Sequence, residues 1–230
     1  MSRKAIGILG GMGPEASGYL YKLLIDLSIK HFNAKQNDDF PEVLIHSIPV
    51  PDFISSDRKR GEALQMLLER VKELNKLDVS CLSLACNTAH VLLNDLQKNS
   101  EVPFVSMIDE VVQAVIVKNC KVVGLLGSPS TIRYELYQKA LATNEISTII
   151  PNAKQIKILE RVIRNVLAGK MLKHDSKRLT EIADSLKKRG AKGIILGCTE
   201  LPLAFPSRYS LPVYNSVEIL ALALLRRYYK

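Results

Sequence analysis

Two stretches of this chain repeat one another in order and spacing, and that duplication limits the folds open to it. AIGILGGMGPE at 5–15 echoes VVGLLGSPSTI at 122–132. SCLSLACNTAH at 80–90 echoes KGIILGCTELP at 192–202. Gly7 precedes Cys86 by 79 residues, and Gly124 precedes Cys198 by 74. Each first motif is a short apolar run that ends in a glycine turn and then opens a helical pattern. Each second motif is another apolar run that ends on a cysteine. Two similar lobes of roughly 110 residues account for this, a size suited to compact domains.

Periodicity fills in the rest. Apolar runs at 5–9, 43–48, 79–85 and 102–106 read as strands in the first half. Runs at 121–126, 147–150, 193–196 and 213–214 read as strands in the second. Helical patterns cover 15–32, 60–77 and 88–96, then 133–141, 154–167, 179–189 and 218–228. Pro14 suits the first turn of a helix, where a missing N–H costs nothing. Strands alternating with helices argue for an α/β fold: two pseudo-symmetric lobes, each a mostly parallel sheet flanked by helices. Residues 1–110 form the first lobe, with 213–230 as a candidate to complete it, and 111–212 form the second. In open α/β sheets ligands sit beyond the carboxyl ends of the strands. The expected active site therefore lies in the cleft between the lobes.

Charge is divided unevenly. The first 110 residues carry 12 Lys and Arg against 15 Asp and Glu, and the remainder carry 20 against 8. A basic half can attract nucleic acid or small anions. The basic residues at 170–192 alternate with Leu172, Leu179, Ile182 and Leu186, the pattern of a solvated helix face. With no finger motif and no aromatic-basic interleaving, no nucleic-acid partner is expected. No uncharged apolar run is long enough for a membrane span, and the N-terminus lacks a signal-peptide pattern. The expectation is a soluble cytoplasmic protein with no membrane partner.

The four cysteines, Cys81, Cys86, Cys120 and Cys198, match no zinc spacing, and nothing calls for disulfides. No metal is expected. Cys81 and Cys120 sit in or beside apolar strands and read as small buried hydrophobes. Cys86 and Cys198 stand at strand ends and precede polar residues at expected helix starts, Asn87-Thr88 and Thr199-Glu200. A helix N-terminus favours a thiolate. Two acid/base groups suit inversion of a carbon acid, one removing a proton from one face while the other delivers from the opposite face. His90 could pair with Cys86 as in a cysteine hydrolase, though no third member is evident, or it reads equally as a polar contact that shapes the site. The turn at 10–13 lacks the glycine spacing of a dinucleotide site and reads instead as a close backbone approach to a small carboxylate. Ser128 and Thr131 read either as carboxylate contacts or as turn and cap residues. Glu200 reads as a contact to a substrate ammonium, as a residue that orients a partner, or as a helix-start carboxylate with only a dipole role.

Together ILGGMGPEAS (8–17), ACNTAH (85–90), LLGSPST (125–131) and GCTELPL (197–203) resemble the aspartate/glutamate racemase family over nearly the whole chain. The resemblance implies a cofactor-independent amino-acid racemase, most like aspartate racemase, with a small-molecule amino-acid substrate. It implies Cys86 and Cys198 as the catalytic pair. It implies Met12, Gly13, Asn87, Thr88, Ser128, Thr131, Thr199 and Glu200 around the substrate, with no cofactor. It also implies a homodimer. Two positions depart from the aspartate racemase pattern. Phe53 comes after Pro51-Asp52 where an arginine is usual, and Leu167 stands where a lysine is usual. Those bases clamp carboxylates, so the pair of cysteines says more about the reaction than about the substrate. Arg58, Arg60, Lys154 and Lys170 are the candidates to compensate. The same cleft could instead serve another small carboxylate, a hydantoin, or simple dicarboxylate binding.

Overall fold

The computed structural model describes residues 4–52, 56–172 and 174–230. Phe53 therefore lies outside the described residues. The chain divides into two compact units. One comprises 4–52, Asp57–Met107 and Val217–Lys230, and the other is built from Ile108–Ser216.

In the first unit β1 (Ala5–Gly10) leads into helix α1 (Pro14–Phe32), then β2 (Val43–Ser47) and α2 (Arg60–Leu74). Next come β3 (Val79–Leu84), a 3-10 turn (Thr88–Leu92), α3 (Leu93–Lys98) and β4 (Phe104–Val105). All pairings are parallel, in the order β2-β1-β3-β4. Both faces of this sheet are covered, which is why its strands are apolar throughout rather than alternating. Ala5 and Leu9 of β1, with Leu82 and Leu84 of β3, join Leu67, Val71 and Leu74 of α2 on one face. Ile6 and Ile8, with Cys81 and Ala85, join Leu20 and Leu24 of α1 and the C-terminal residues Leu220 and Leu224 on the other. Helix α1 starts on Pro14 with Glu15 in its first turn, and stops at Asn33, whose left-handed backbone returns its N–H to Ser28.

The chain continues through α4 (Met107–Val117) into the second unit's β5 (Val122–Gly127), the short helices α5 (Pro129–Arg133) and α6 (Leu136–Ala142), and β6 (Ser147–Ile149). Helices α7 (Ala153–Leu167) and α8 (Asp175–Lys188), β7 (Gly193–Gly197), α9 (Leu201–Ala204) and β8 (Val213–Asn215) come after these. Helix α10 (Ser216–Tyr228) closes the chain. The second sheet is again parallel throughout, in the order β6-β5-β7-β8. This is the first sheet's order, strand for strand. Leu159, Val162, Ile163 and Val166 of α7 and Leu179, Ile182 and Leu186 of α8 bury one face of it against Leu126, Ile194 and Leu196. A reciprocal cap opens α7: Asn152 accepts from the Gln155 N–H, and Gln155 accepts from the Asn152 N–H, both at 2.9 Å.

Several boundaries differ from the sequence expectation. The lobe limits fall at 107/108 and 216/217, not at 110 and 212. Val213–Asn215 hydrogen-bonds alongside β7 and so stays with the second sheet; only Val217–Lys230 belongs to the first unit. Helix α4 is absent from the sequence expectation, although Met107, Ile108, Val111, Val112 and Val115 form a buried stripe at helical spacing opposite Asp109, Glu110 and Gln113; its β-branched run weakens the local helix preference. The single helix expected at 133–141 is two, broken at Glu135, whose φ of 56° is left-handed. Helix α8 begins four residues before the expected 179, at Asp175. That carboxylate is fully buried and accepts from Asn165 Nδ2 and the Leu172 N–H, each at 3.0 Å.

Candidate active site

The two cysteines singled out by the sequence occupy equivalent places. Cys86 lies two residues beyond the carboxyl end of β3, and Cys198 comes directly after β7. β3 and β7 hold the same position in their sheets, each beside the strand that opens its repeat. Neither cysteine heads a long helix. A 3-10 turn lies beyond Cys86, and the four-residue α9 lies beyond Cys198. The helix-dipole argument for a thiolate therefore carries little weight here, since short turns sum few peptide dipoles. Among the described residues no disulfide joins the four cysteines, and no three His, Cys, Asp or Glu side chains converge as a metal site.

Each thiol has its own surroundings. Cys198 is 5% exposed, and its Sγ donates to Oε2 of Glu200 at 3.0 Å. The Thr199 hydroxyl donates to the same oxygen at 3.1 Å. Glu200 is 2% exposed. It holds one carboxylate oxygen against Cys198 and Thr199. Beside this group lies Tyr137, fully buried. Burial pushes its phenol far up, the Ser216 hydroxyl pulls it back, and charge on Cys198 would push it up further. Ser216 in turn donates to the Leu196 carbonyl at 2.8 Å.

Cys86 is 7% exposed and packs at the end of the apolar cluster around α2. Asn87 and Thr88 beside it are buried. His90 grips the backbone around Cys86. Its Nδ1 lies 2.8 Å from the Cys86 carbonyl, and its Nε2 accepts the Met107 N–H at 2.9 Å. A carbonyl can only accept and an N–H can only donate, so Nδ1 carries the proton and the ring is neutral. His90 thus ties the cysteine loop to the start of α4, just past β4. With both ring nitrogens engaged, it is a clamp rather than a base.

Both glycine turns carry internal hydrogen bonds. The Gly11 N–H donates to Ser17 Oγ at 2.9 Å, and Ser17 Oγ donates to the Gly13 carbonyl at 3.1 Å. The turn uses this N–H internally. Gly11 has φ of 88°, and a Cβ there would collide with the backbone of Ile48, so only glycine fits. Met12 is half-buried against the α2 cluster, and Gly13 caps α1. In the matching turn Ser128 caps α5, accepting from the Thr131 N–H at 3.1 Å and donating to Thr131 Oγ1 at 2.9 Å. Both are fully buried, and these bonds are cap duty. Leu167, at the position expected to hold a lysine, packs on the apolar cluster of α7 and α8. Lys154 and Lys170 are exposed.

A family model described as Asp/Glu/Hydantoin racemase matches residues 9–224. The chain belongs to this family. It is thereby placed among cofactor-independent racemases. The broad specificity amino-acid racemase RacX of Bacillus subtilis is 27% identical over 224 residues, covering 97% of each chain. Among solved structures, an aspartate racemase homologue from Pyrococcus horikoshii is 32% identical with a TM-score of 0.81, over 97% of this chain and 98% of that one. The Picrophilus torridus aspartate racemase is 25% identical with a TM-score of 0.84, over 97% and 93%. No described helix of this family member is long and apolar enough to cross a membrane.

Sequence reasoning had no means to find two of the side chains around the cysteines. Tyr137 reads as one more apolar residue of a helix, and Ser216 as a polar residue after a strand. Only folding sets Tyr137 within electrostatic reach of Cys198 and Ser216 against Tyr137. The partners of His90 were hidden too, because one of them is a backbone N–H 17 residues away.

Proposed function

We propose that this racemase inverts the α carbon of an acidic amino acid, aspartate in the first place, by two-base proton transfer through Cys86 and Cys198. The supporting observation is their equivalence: one cysteine at the carboxyl end of the same strand in each of two sheets of identical order. In one direction the Cys86 thiolate takes the Cα proton and the Cys198 thiol delivers one to the opposite face. In the other direction the roles exchange. Met12, Gly13, Asn87, Thr88, Ser128, Thr131, Thr199 and Glu200 are proposed around the substrate.

A wider substrate range is the second reading. It is supported by Leu167, which packs half-buried against an apolar cluster where a carboxylate-clamping lysine was expected, and by the likeness to RacX, described as a broad-specificity racemase. The test is Cα hydrogen exchange in D2O, without added cofactor, for both enantiomers of aspartate, glutamate, neutral amino acids and a 5-substituted hydantoin. Wild type should exchange and racemise its substrate. C86S and C198S should lose racemisation by at least about a hundredfold, as expected for loss of a general acid or base. Exchange that survives both substitutions together would sink the two-thiol mechanism, and no exchange with any substrate would sink the activity. Aspartate as best substrate favours the first reading, and neutral amino acids the second.

A further inference from the structure

The two repeats are alike in strand order but differ just beyond each cysteine. After Cys86 come Asn87 and Thr88, neither of which ionises. After Cys198 come Thr199 and Glu200, and the structure puts the Glu200 carboxylate 3.0 Å from the Cys198 sulfur in a site where Glu200 is 2% exposed. The contact is a hydrogen bond in which the thiol donates and the carboxylate accepts. An ordinary carboxyl group gives up its proton roughly four pKa units below an ordinary thiol. At neutral pH the proton of the pair therefore stays on sulfur, and a thiolate formed there would face a carboxylate at contact distance. The Thr199 hydroxyl, 3.1 Å from the same Oε2, supports the ionised carboxylate.

We propose that Glu200 is a positioning residue that holds a proton on Cys198, so that the enzyme rests with Cys198 as the acid and leaves Cys86 to act as the base. This rests on the two-cysteine reading above. The Cys86 thiolate removes the Cα proton and becomes a thiol. The carbanion takes the Cys198 proton on its other face, leaving a Cys198 thiolate beside Glu200. Exchange with solvent then restores the resting form. In the opposite direction the complex must carry the disfavoured Cys198 thiolate.

A racemase has an equilibrium constant of one, so kcat/KM is equal for the two enantiomers whatever the residue does. The asymmetry shows instead as KM and kcat that differ between enantiomers by one common factor. The enantiomer deprotonated by Cys198 is identified as the one whose Cα proton still exchanges in C86S.

The experiment combines peptide-resolved iodoacetamide labelling across pH with steady-state kinetics on wild type, E200Q and T199V. In wild type the Cys198 labelling midpoint should lie above the roughly 8.5 of an ordinary thiol. In E200Q it should fall by about one pH unit or more. There the KM of the Cys198-deprotonated enantiomer should drop about tenfold relative to the other, the equivalent of that unit. T199V takes a donor from the carboxylate and strengthens its hold on the thiol proton, so the midpoint should rise. Loss of packing alone would not move the midpoint in opposite directions in the two variants. A wild-type midpoint at or below about 8.5 overturns the proposal, as does an E200Q midpoint and KM ratio that stay put. If E200Q does not fold, T199V decides: a raised midpoint upholds the role and an unchanged or lowered one overturns it. Labelling needs no substrate. If no amino acid exchanges while the midpoints shift as stated, the racemase reading falls and the Glu200–Cys198 pairing stands.

Discussion

His90 offers a test in which each end of one side chain can be removed separately. The ring is 7% exposed and joins the Cys86 carbonyl at 2.8 Å to the Met107 N–H at 2.9 Å. H90A leaves both backbone groups buried without the imidazole. An unsatisfied buried group costs about 1–3 kcal/mol, so the pair costs about 2–6 kcal/mol before any cavity is counted. In a protein of this length each kcal/mol moves Tm by roughly 2–4 °C, so H90A should melt about 4–24 °C lower. Asn places its amide nitrogen near the position of Nδ1 and can serve only the Cys86 carbonyl. Gln places its amide oxygen near Nε2 and can serve only the Met107 N–H. H90N and H90Q should each recover roughly half of the loss. The assay is thermal and urea unfolding monitored by circular dichroism, and where two transitions resolve, the first unit's is the one that moves. An H90A melt within about 2 °C of wild type, less than 1 kcal/mol, would refute the clamp. So would an H90N protein no more stable than H90A. Racemisation should fall in step with the loosened Cys86 loop, whereas a catalytic histidine would lose activity in H90N and H90Q without any change in melting.

Two glycines that look alike in sequence should respond with opposite signs. In β5, G124A brings its Cβ to 2.9 Å from both Leu186 Cδ1 and Ile194 Cδ1, and should lose about 1–3 kcal/mol to overpacking. In α1, G18A meets nothing within 4 Å and should gain about 0.5–1 kcal/mol of helix stability in urea titrations; equal effects would contradict the packing. At high pH, Tyr214 is the group to watch. Burial, with the Cys120 thiol adding, pushes its phenol up to about 12. The unfolded chain ionises near 10, so the stability is present below pH ~10 and is lost as pH rises from about 10 to about 12. Its hydroxyl has only the weakly bonding Cys120 thiol beside it, so Y214F should differ by less than about 1 kcal/mol at neutral pH while losing less stability between pH ~9 and ~11.5; an unchanged alkaline loss would count against it.

Much of the architecture was legible because it depends on local pattern. Apolar runs bounded by glycine turns marked β1, β3, β5 and β7, and 3.6-residue periodicity marked α1, α2 and α7. The elements that escaped are those decided by burial. Helix α4 has a β-branched run whose helical state burial decides, and Glu135 divides a continuous helical pattern by a backbone angle that no propensity reveals. For the candidate site, the residue types were readable and their bonds were not. Ser128 and Thr131 cap a helix, and Leu167 packs half-buried against an apolar cluster.

The cysteines show where that division falls. Order and spacing along the chain were enough to mark Cys86 and Cys198 as a repeated pair at strand ends, because a parallel sheet delivers equivalent residues to equivalent places. Their inequality needed three dimensions. A carboxylate two residues away in sequence can point anywhere; folded, Glu200 lies 3.0 Å from one sulfur, while the other loop is tied down through a backbone N–H that only folding brings to His90. Side-chain direction and long-range backbone pairing decide those contacts, and neither is encoded in residue spacing.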